Sequence, residues 1–424
     1  MNNLIKKISA CDLCDVTSLR SLYQNGNKYD YNGVSIICRE THKSTPEFVR
    51  FQLGFPLSLL NVQIKDTAQE VITADYCLRR MVELIDDISV ERLHNTGKEK
   101  YTGKFYIYKP HQKVIVRNVS YIQNDKVYIQ FSLRFPVYMM EKRNVVSGKL
   151  SVKLIKRELT RIIRAFLDTF NTSEYKKAVQ LYFRQLEIYS ILEEKNLVSF
   201  IANGSIHPRC DKDKPLKSAI PFVSPPEDEI ELCLSDGFRI KGMGIKEGVT
   251  VITGGGYSGK STLLDSIQNG IYNHILGDGR EYCITRRNSI GIIAEDGRNI
   301  SSLNISPFIS ETRLLRTSNF SSQHASGSTS QAANIIEAIT FGCGALLIDE
   351  DRTATNFMIR DSRMKELIKN DPIIPFTDRV RQLYHELKIS TILVIGGSSE
   401  YLELADSVYM MQDYHLKKHY CWNQ

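Results

Sequence analysis

Residues 253–262, TGGGYSGKST, restrict this chain more than any other stretch. They fit the pattern G-x-x-x-x-G-K-[ST] through Gly254, Gly259, Lys260 and Ser261. A short apolar run, GVTVIT, precedes them at 248–253, and a helical pattern starts at about Lys260. A loop between a buried strand and a helix aims successive backbone N–H groups, and the positive end of the helix, at an anion. The architecture that supplies such a loop is a parallel sheet covered by helices. Residues Gly254, Gly255, Gly256, Tyr257, Ser258, Gly259, Lys260, Ser261 and Thr262 are therefore expected to wrap a polyphosphate. Lys260 would reach the β- and γ-phosphates, and the Ser261 hydroxyl would take a coordination place on Mg²⁺.

Such a loop calls for a carboxylate elsewhere to hold the metal, and ALLIDED supplies one. The apolar residues 345–348 deliver Asp349 to the C-terminal end of a strand, where it can hold Mg²⁺ directly or through water. Glu350, next to it, is the residue type that polarises an attacking water, so Glu350 and Lys260 are the candidate catalytic groups. Between the two motifs lies ASGSTSQAANIIEAI, 325–339. A Ser-Gly-Ser-Thr-Ser run is unfavourable inside a helix but makes a good helix start, and helical spacing continues from Gln331. This gives a second helix N-terminus built from small residues, a further place for an anion. Residues 391–395 are another buried-strand candidate.

The first half of the chain differs in charge. Residues 1–200 hold 31 Lys+Arg against 21 Asp+Glu, or +10, and the remainder 24 against 27, or −3, which together give the net +7. The excess is densest over 101–165, with 14 basic and 3 acidic residues interleaved with Phe105, Tyr106, Tyr108, Tyr121, Tyr128, Phe131, Phe135 and Tyr138. Basic strands carrying aromatics suit a nucleic-acid surface, because phosphates need cations and bases need flat partners. A twisted sheet with aromatics in its core and lysines in water gives the same pattern. Residues 104–138 read as strands, broken at Lys109-Pro110 and Asn124-Asp125, whereas 150–170 and 173–195 space their apolar residues helically. Five of twelve prolines fall in 203–228. The expected organisation is an α+β N-terminal domain at 1–202, a connecting stretch at 203–235 and an α/β domain at 236–424.

No apolar run approaches the roughly 18 residues of a membrane span, and the start lacks an apolar block of signal-peptide length. Nine scattered cysteines point to a reducing, cytoplasmic setting. Cys11 and Cys14 form a lone C-x-x-C without the second pair or histidines a zinc site needs. Asn27-Lys28-Tyr29-Asp30 matches a guanine-reading string but precedes the phosphate loop, where that element should follow it.

The segments GGGYSGKSTLL, IYNHILGDGREY, AEDGR, ISPFI, ASGSTSQAANIIEA, LLIDEDRTATNFMIRD, IPFTDRVRQLY and ILVIGGSSEY together resemble the predicted ATPases of the ABC class, a soluble group distinct from transporters. The likeness is strongest over 242–406 and extends more weakly into the N-terminal domain. It implies an α/β P-loop NTPase fold of the ABC type, ATP and Mg²⁺ as ligands, and a homodimer sandwiching two ATP molecules. Ser326, Gly327 and Ser328 would then touch the γ-phosphate bound by the partner copy, and Thr353, Ala354, Thr355 and Asn356 would form the D-loop between sites. The sequence departs from the ABC pattern where a switch histidine is usual, which here reads Gly396-Gly397-Ser398. Glu295-Asp296-Gly297-Arg298 occupies the region of the Q-loop, and Phe238 is a candidate to stack on adenine or to pack in the core. The expected function is an ATPase working at a homodimer interface and coupled to a nucleic acid, RNA rather than DNA. The alternative is an ATP-dependent assembly switch with little hydrolysis, read by a protein partner.

Overall fold

The computed structural model describes residues 1–23, 27–39, 45–96, 103–210, 214–313, 315–360, 368 and 371–419, with the backbone alone over 88–96. The chain divides into two units, Met1–Tyr182 and Phe183–Gln424.

In the first unit, strands β1 (Lys28–Tyr31), β2 (Val34–Arg39), β3 (Phe48–Pro56), β4 (Lys104–Tyr106), β5 (Ser120–Gln123) and β6 (Lys126–Arg134) form one antiparallel sheet. Its order is β1-β2-β3-β6-β4, with β5 also paired to β6. Successive side chains point to opposite faces of a strand. In β6, accordingly, Val127, Ile129, Phe131 and Leu133 are buried, whereas Lys126, Gln130, Ser132 and Arg134 stay partly exposed. The buried set shares a core with Leu78, Met81 and Ile85 of helix α1 (Thr67–Thr96) and with Ile155, Ile162 and Phe166 of the helical run α2 at 148–168. A π turn, Leu154–Leu159, interrupts α2, and α3 (Thr172–Glu194) follows. The Asn124-Asp125 break is a two-residue hairpin: both residues have positive φ, 49° and 54°, and Gln123 pairs with Lys126. That handedness matches the twist of the flanking strands. The Lys109-Pro110 break makes no hairpin, since 107–112 carry no strand and Pro110 has no N–H to give a ladder.

The aromatics of the basic segment divide between the two readings. Phe105, Tyr128, Phe131 and Phe135 are buried; Tyr106, Tyr121 and Tyr138 are half-buried, and Tyr108 is exposed. Lys104 lies over the Tyr106 ring, Arg117 over Tyr108 and Arg134 over Phe48. Asn27, of the guanine-type string, donates its amide to the Ser21 and Leu22 carbonyls.

The second unit contains two larger sheets. Strands β7 (Leu197–Ala202), β8 (Glu229–Cys233), β9 (Arg239–Lys246) and β11 (Cys283–Thr285) make an antiparallel sheet in the order β8-β9-β7-β11. Strands β10 (Val249–Gly254), β12 (Ser289–Ile292), β15 (Ala345–Asp349), β16 (Ser390–Val394), β17 (Ser407–Gln412) and β18 (His415–His419) make the other, ordered β12-β15-β16-β10-β17-β18. All its pairs are parallel except β17 with β18. A hairpin of β13 (Arg298–Leu303) and β14 (Phe320–Ala325) stands apart. Alternation assigns each strand's side chains to one of two cores. Ala345, Leu347, Ile392 and Val394 pack with Leu263, Leu264 and Ile267 of helix α4 (Lys260–Asn269) and with Ile201 and Met243 of the antiparallel sheet. Leu346, Ile348 and Leu393 pack instead with Ala332, Ala333 and Ile335 of α5 (Gly327–Thr340) and with Val380 and Leu383 of α6 (Val380–Leu387). Both faces of the parallel sheet are thus covered, which explains its unbroken apolar strands.

The division between units falls inside α3, twenty residues before the expected boundary at 202. Strand β7, buried at every position, belongs to the antiparallel sheet of the second unit. The proline-rich stretch from 203 is not a free linker, because Phe222 is buried in the second unit's core and β8 pairs with β9. Its prolines lie in irregular chain, in a short strand and at the start of a 3-10 turn of helix, and composition does not distinguish a packed segment of this kind from a linker.

Candidate P-loop nucleotide site

Strand β10 ends at Gly254, whose φ is 145° and whose Cβ, if present, would come within 2.2 Å of the Met411 carbonyl oxygen. Glycine alone fits that close approach of two strands. The chain turns out through Gly255, Gly256 and Tyr257, whose ring is fully exposed, and enters α4 through Gly259 with φ 104°. The Lys260 ammonium donates to the carbonyls of Gly254 (2.6 Å) and Gly255 (2.8 Å), and the Ser258 hydroxyl to that of Gly255 (2.8 Å). Ser261 is exposed in the first turn of α4, and Thr262 is half-buried beside it. The apolar side of α4 holds the loop against the sheet through Leu263, Leu264 and Ile267.

Strand β16 lies between β10 and β15, pairing Ile252 with Val394 and Val394 with Asp349. The carboxyl ends of the loop strand and of the Asp349 strand therefore share one edge of the sheet, where ligands of open α/β sheets bind. Asp349 is buried and accepts the Asp351 N–H at 3.3 Å. Glu350 turns toward the end of β16. Its carboxylate accepts the Gly396 N–H at 2.6 Å, the Gly397 N–H at 3.3 Å and the hydroxyl of buried Ser398.

Ser326 is the N-cap of α5, its hydroxyl oxygen 3.4 Å from the Thr329 nitrogen. The Ser330 hydroxyl accepts the Glu295 N–H at 2.8 Å and donates to the Gly327 carbonyl at 2.9 Å. Arg298 reaches Asn334 and Glu337, so the turn from Glu295 to Arg298 is fastened to α5 both near its start, at Ser330, and along its second half. Gln331, fully buried, accepts the Ala354 N–H at 2.9 Å and donates to the Met358 sulfur at 3.1 Å. The segment expected as the D-loop is thereby tied to α5. Among the described residues no hydrogen bond joins Ser326, Gly327 or Ser328 to Lys260, Ser261, Asp349 or Glu350.

A family model described as ABC_ATPase, a P-loop domain, matches residues 171–420, more than half of the chain. An uncharacterized protein of Methanocaldococcus jannaschii is 30% identical over 324 residues, covering 71% of this chain and 67% of the relative. The chain belongs to the ABC_ATPase family. Among solved structures, cbiO1 from Clostridium perfringens, part of the ABC transporter complex cbiONQ, covers 52% of this chain and 87% of its own at 16% identity. Its TM-score is 0.30.

Membership in the ABC_ATPase family makes residues 171–420 an ATP-binding P-loop domain of the ABC type. Gly396, Gly397 and Ser398, which stand where ABC ATPases usually carry the switch histidine, are all donors to Glu350. Phe238 stacks on Tyr282 with ring centroids 5.4 Å apart and lies under the Arg184 guanidinium at 3.9 Å, so its ring is already engaged. Two roles carry no signal in the motifs: that of Ser398 as a donor to Glu350, 48 positions away, and that of Gln331 as the group that holds the Ala354 N–H. Among the described residues no three His, Cys, Asp or Glu side chains cluster to hold a metal. Mg²⁺ bound together with a nucleotide needs only one or two protein oxygens, and Asp349 and Ser261 offer donors of that hard type. Among the described residues no helix is long and apolar enough to cross a membrane.

Proposed function

We propose that the protein is a Mg²⁺-dependent ATP hydrolase acting as a homodimer, with turnover coupled to a nucleic acid, RNA in preference to DNA. The observation that carries the hydrolase reading is the seating of Glu350 beside Asp349 at the carboxyl edge of the sheet. A carboxylate offers about four acceptor sites. Gly396, Gly397 and Ser398 take three in Glu350, which fixes the side chain and leaves room for the proton of an attacking water. Lys260 exchanges the carbonyls of Gly254 and Gly255 for β- and γ-phosphate oxygens, while the N–H groups of 255–262 cradle the chain of phosphates. Asp349 and Ser261 hold the metal, which when bound neutralises charge developing on the phosphates. The N-terminus of α5, with Ser326, Gly327 and Ser328, completes the site of the partner copy. The basic excess of the first 200 residues and the exposed Tyr108 support the nucleic-acid partner.

A second reading, an ATP-driven assembly switch with little hydrolysis, is favoured by the departure at Gly396-Gly397-Ser398. Phosphate release at saturating ATP and Mg²⁺ separates the two. For a hydrolase, Glu350→Gln lowers turnover by about 10²- to 10⁴-fold while ATP binding persists. Wild-type turnover no faster than that of the variant would leave the switch reading in its place.

A further inference from the structure

One face of the sheet in the first unit packs on its core, and the other carries cations and rings. Alternation places Arg39 of β2, Phe48 and Arg50 of β3, Lys104 and Tyr106 of β4, and Arg134 of β6 on that second face. We propose that this face binds single-stranded RNA, with phosphates on the cations and a base on the Phe48 and Tyr106 rings. The proposal rests on the reading of a nucleic-acid partner and gives that partner a surface.

The strand registers point to an anion. Arg39 stands directly opposite Arg50, and Lys104 directly opposite Arg134. Like charges directly opposite one another destabilise a sheet. A face that only had to stay wet would set neutral or opposite charges there, so two such pairs at one end of one sheet are a cost that a bound polyanion would offset. Ser132 joins the pairs, opposite Arg50 on one side and Tyr106 on the other. Arg39, Arg50, Ser132 and Tyr106 thus form one row across four strands, about 14 Å at roughly 4.8 Å between strands. Phe48, Arg134 and Lys104 form the next row. Among the described residues neither Arg39 nor Arg50 enters an ion pair; Arg39 donates to the Gln52 amide oxygen at 2.9 Å, and Arg134 has Glu47 at 3.8 Å. Asp30 shares the face but lies toward its other end, in the row of Ser35 and Gly54.

The rings decide which polyanion. Phe48 and Tyr106 meet with centroids 5.4 Å apart, the Lys104 ammonium lies 5.2 Å from the Tyr106 centroid, and the Arg134 guanidinium lies 5.4 Å from that of Phe48. Both rings, Lys104 and Arg134 are half-buried, while Arg39 and Arg50 are exposed. Flat faces set among cations hold a single strand by both its bases and its phosphates, the arrangement that needs no particular sequence. A duplex keeps its bases stacked on one another and offers mainly backbone, and an acidic protein segment brings charge without a ring to stack. At the other end of the face the aromatics are already used. Tyr121 stacks on Tyr128 at 5.3 Å, and its hydroxyl accepts from the buried Gln52 amide, so that pair belongs to the sheet itself.

The test follows the fluorescence anisotropy of a labelled single-stranded RNA of about ten nucleotides, within the site sizes of single-strand binders, as the full chain is added at several salt concentrations. Arg50→Gln with Lys104→Gln removes one member of each like-charged pair. Affinity should fall about tenfold or more, and the log–log salt slope should shrink by about 1.4, or 0.7 for each of two phosphates. Melting temperature should stay at or above the wild-type value, because repulsion is relieved. Lys176→Gln with Lys177→Gln, exposed on α3, removes the same charge away from the face and should leave affinity and slope near wild type. Phe48→Leu with Tyr106→Leu should cost about tenfold at an unchanged slope, and duplex RNA of the same sequence should bind more weakly than the single strand. Equal losses from the two charge-removing pairs, a duplex bound as tightly as the single strand, or displacement of the RNA by polyglutamate as readily as by unlabelled RNA would each overturn the assigned face. Wild-type RNA binding that survives every substitution on the face overturns the face and leaves the nucleic-acid partner in place. A wild type that binds no RNA at any salt concentration overturns both.

Discussion

At the scale of single residues, the contact on which the proposed hydrolysis turns is between Glu350 and Ser398. ABC ATPases usually place a histidine after the strand that follows the Asp-Glu pair, and here that place holds two glycines and a serine. All three donate to the Glu350 carboxylate, so the turn positions the group proposed as the base even though it brings no titratable group of its own. A hydrogen bond to a charged group contributes about 1.5–3 kcal/mol. Ser398→Ala should accordingly slow phosphate release by roughly 10- to 100-fold, with ATP binding unchanged and Ser398→Thr restoring most of the rate. Wild-type turnover in Ser398→Ala would show that the two backbone donors suffice. The residues of the phosphate loop were legible in the sequence because chemistry fixes their spacing within ten positions. The partnership of Glu350 with Ser398 was not, because it arises only when β15 pairs with β16 and brings together residues 48 apart.

At the scale of elements, helix α5 does more than present a capped N-terminus. Ser330 fastens the turn at Glu295, and Gln331 fastens Ala354, so one helix holds both flanking segments at the same edge of the sheet. Replacing Gln331 with Leu keeps the volume but leaves the half-buried Ala354 N–H without its partner. The expected cost is about 1 kcal/mol of stability, visible as a lower denaturation midpoint at unchanged m-value. A midpoint equal to wild type would mean that the segment re-pairs and that Gln331 does not hold it. Parallel strands such as β15 and β16 could be read in advance because both faces are covered and the apolar runs are unbroken. Strand β7 is equally apolar, yet nothing local says that its partners are β9 and β11, beyond the proline-rich stretch, rather than strands before it. The expected boundary therefore fell after β7 instead of inside α3. The basic segment shows the same limit: the twofold period foretells alternation, but not that Phe105, Tyr128, Phe131 and Phe135 go to the core and Tyr108 to water.

At the scale of the whole molecule, charge and chain copy number make the remaining prediction. The first 200 residues carry +10 and the rest −3, so the excess that a polyanion would meet is confined to one part of the chain. The site of one copy, on the proposed reading, lacks γ-phosphate contacts that only the α5 N-terminus of a second copy supplies. Glu350→Gln with ATP and Mg²⁺ should therefore double the mass seen by light scattering, and the wild type without nucleotide should not. Because counterion release governs binding to phosphates, affinity for single-stranded RNA should fall with salt at a log–log slope of about −0.7 per phosphate contacted. If ATP-driven closure is coupled to the nucleic acid, RNA affinity must differ between the ATP-trapped dimer and the nucleotide-free chain, and RNA must shift the dimerisation equilibrium by the same factor, since linkage is reciprocal. Salt-insensitive or absent RNA binding would remove the nucleic-acid partner and leave the ATPase standing. A chain that binds ATP yet keeps its monomer mass would instead remove the role given to Ser326, Gly327 and Ser328. In that case the helix α5 start would be a cap alone, and each P-loop would have to complete its site from its own chain.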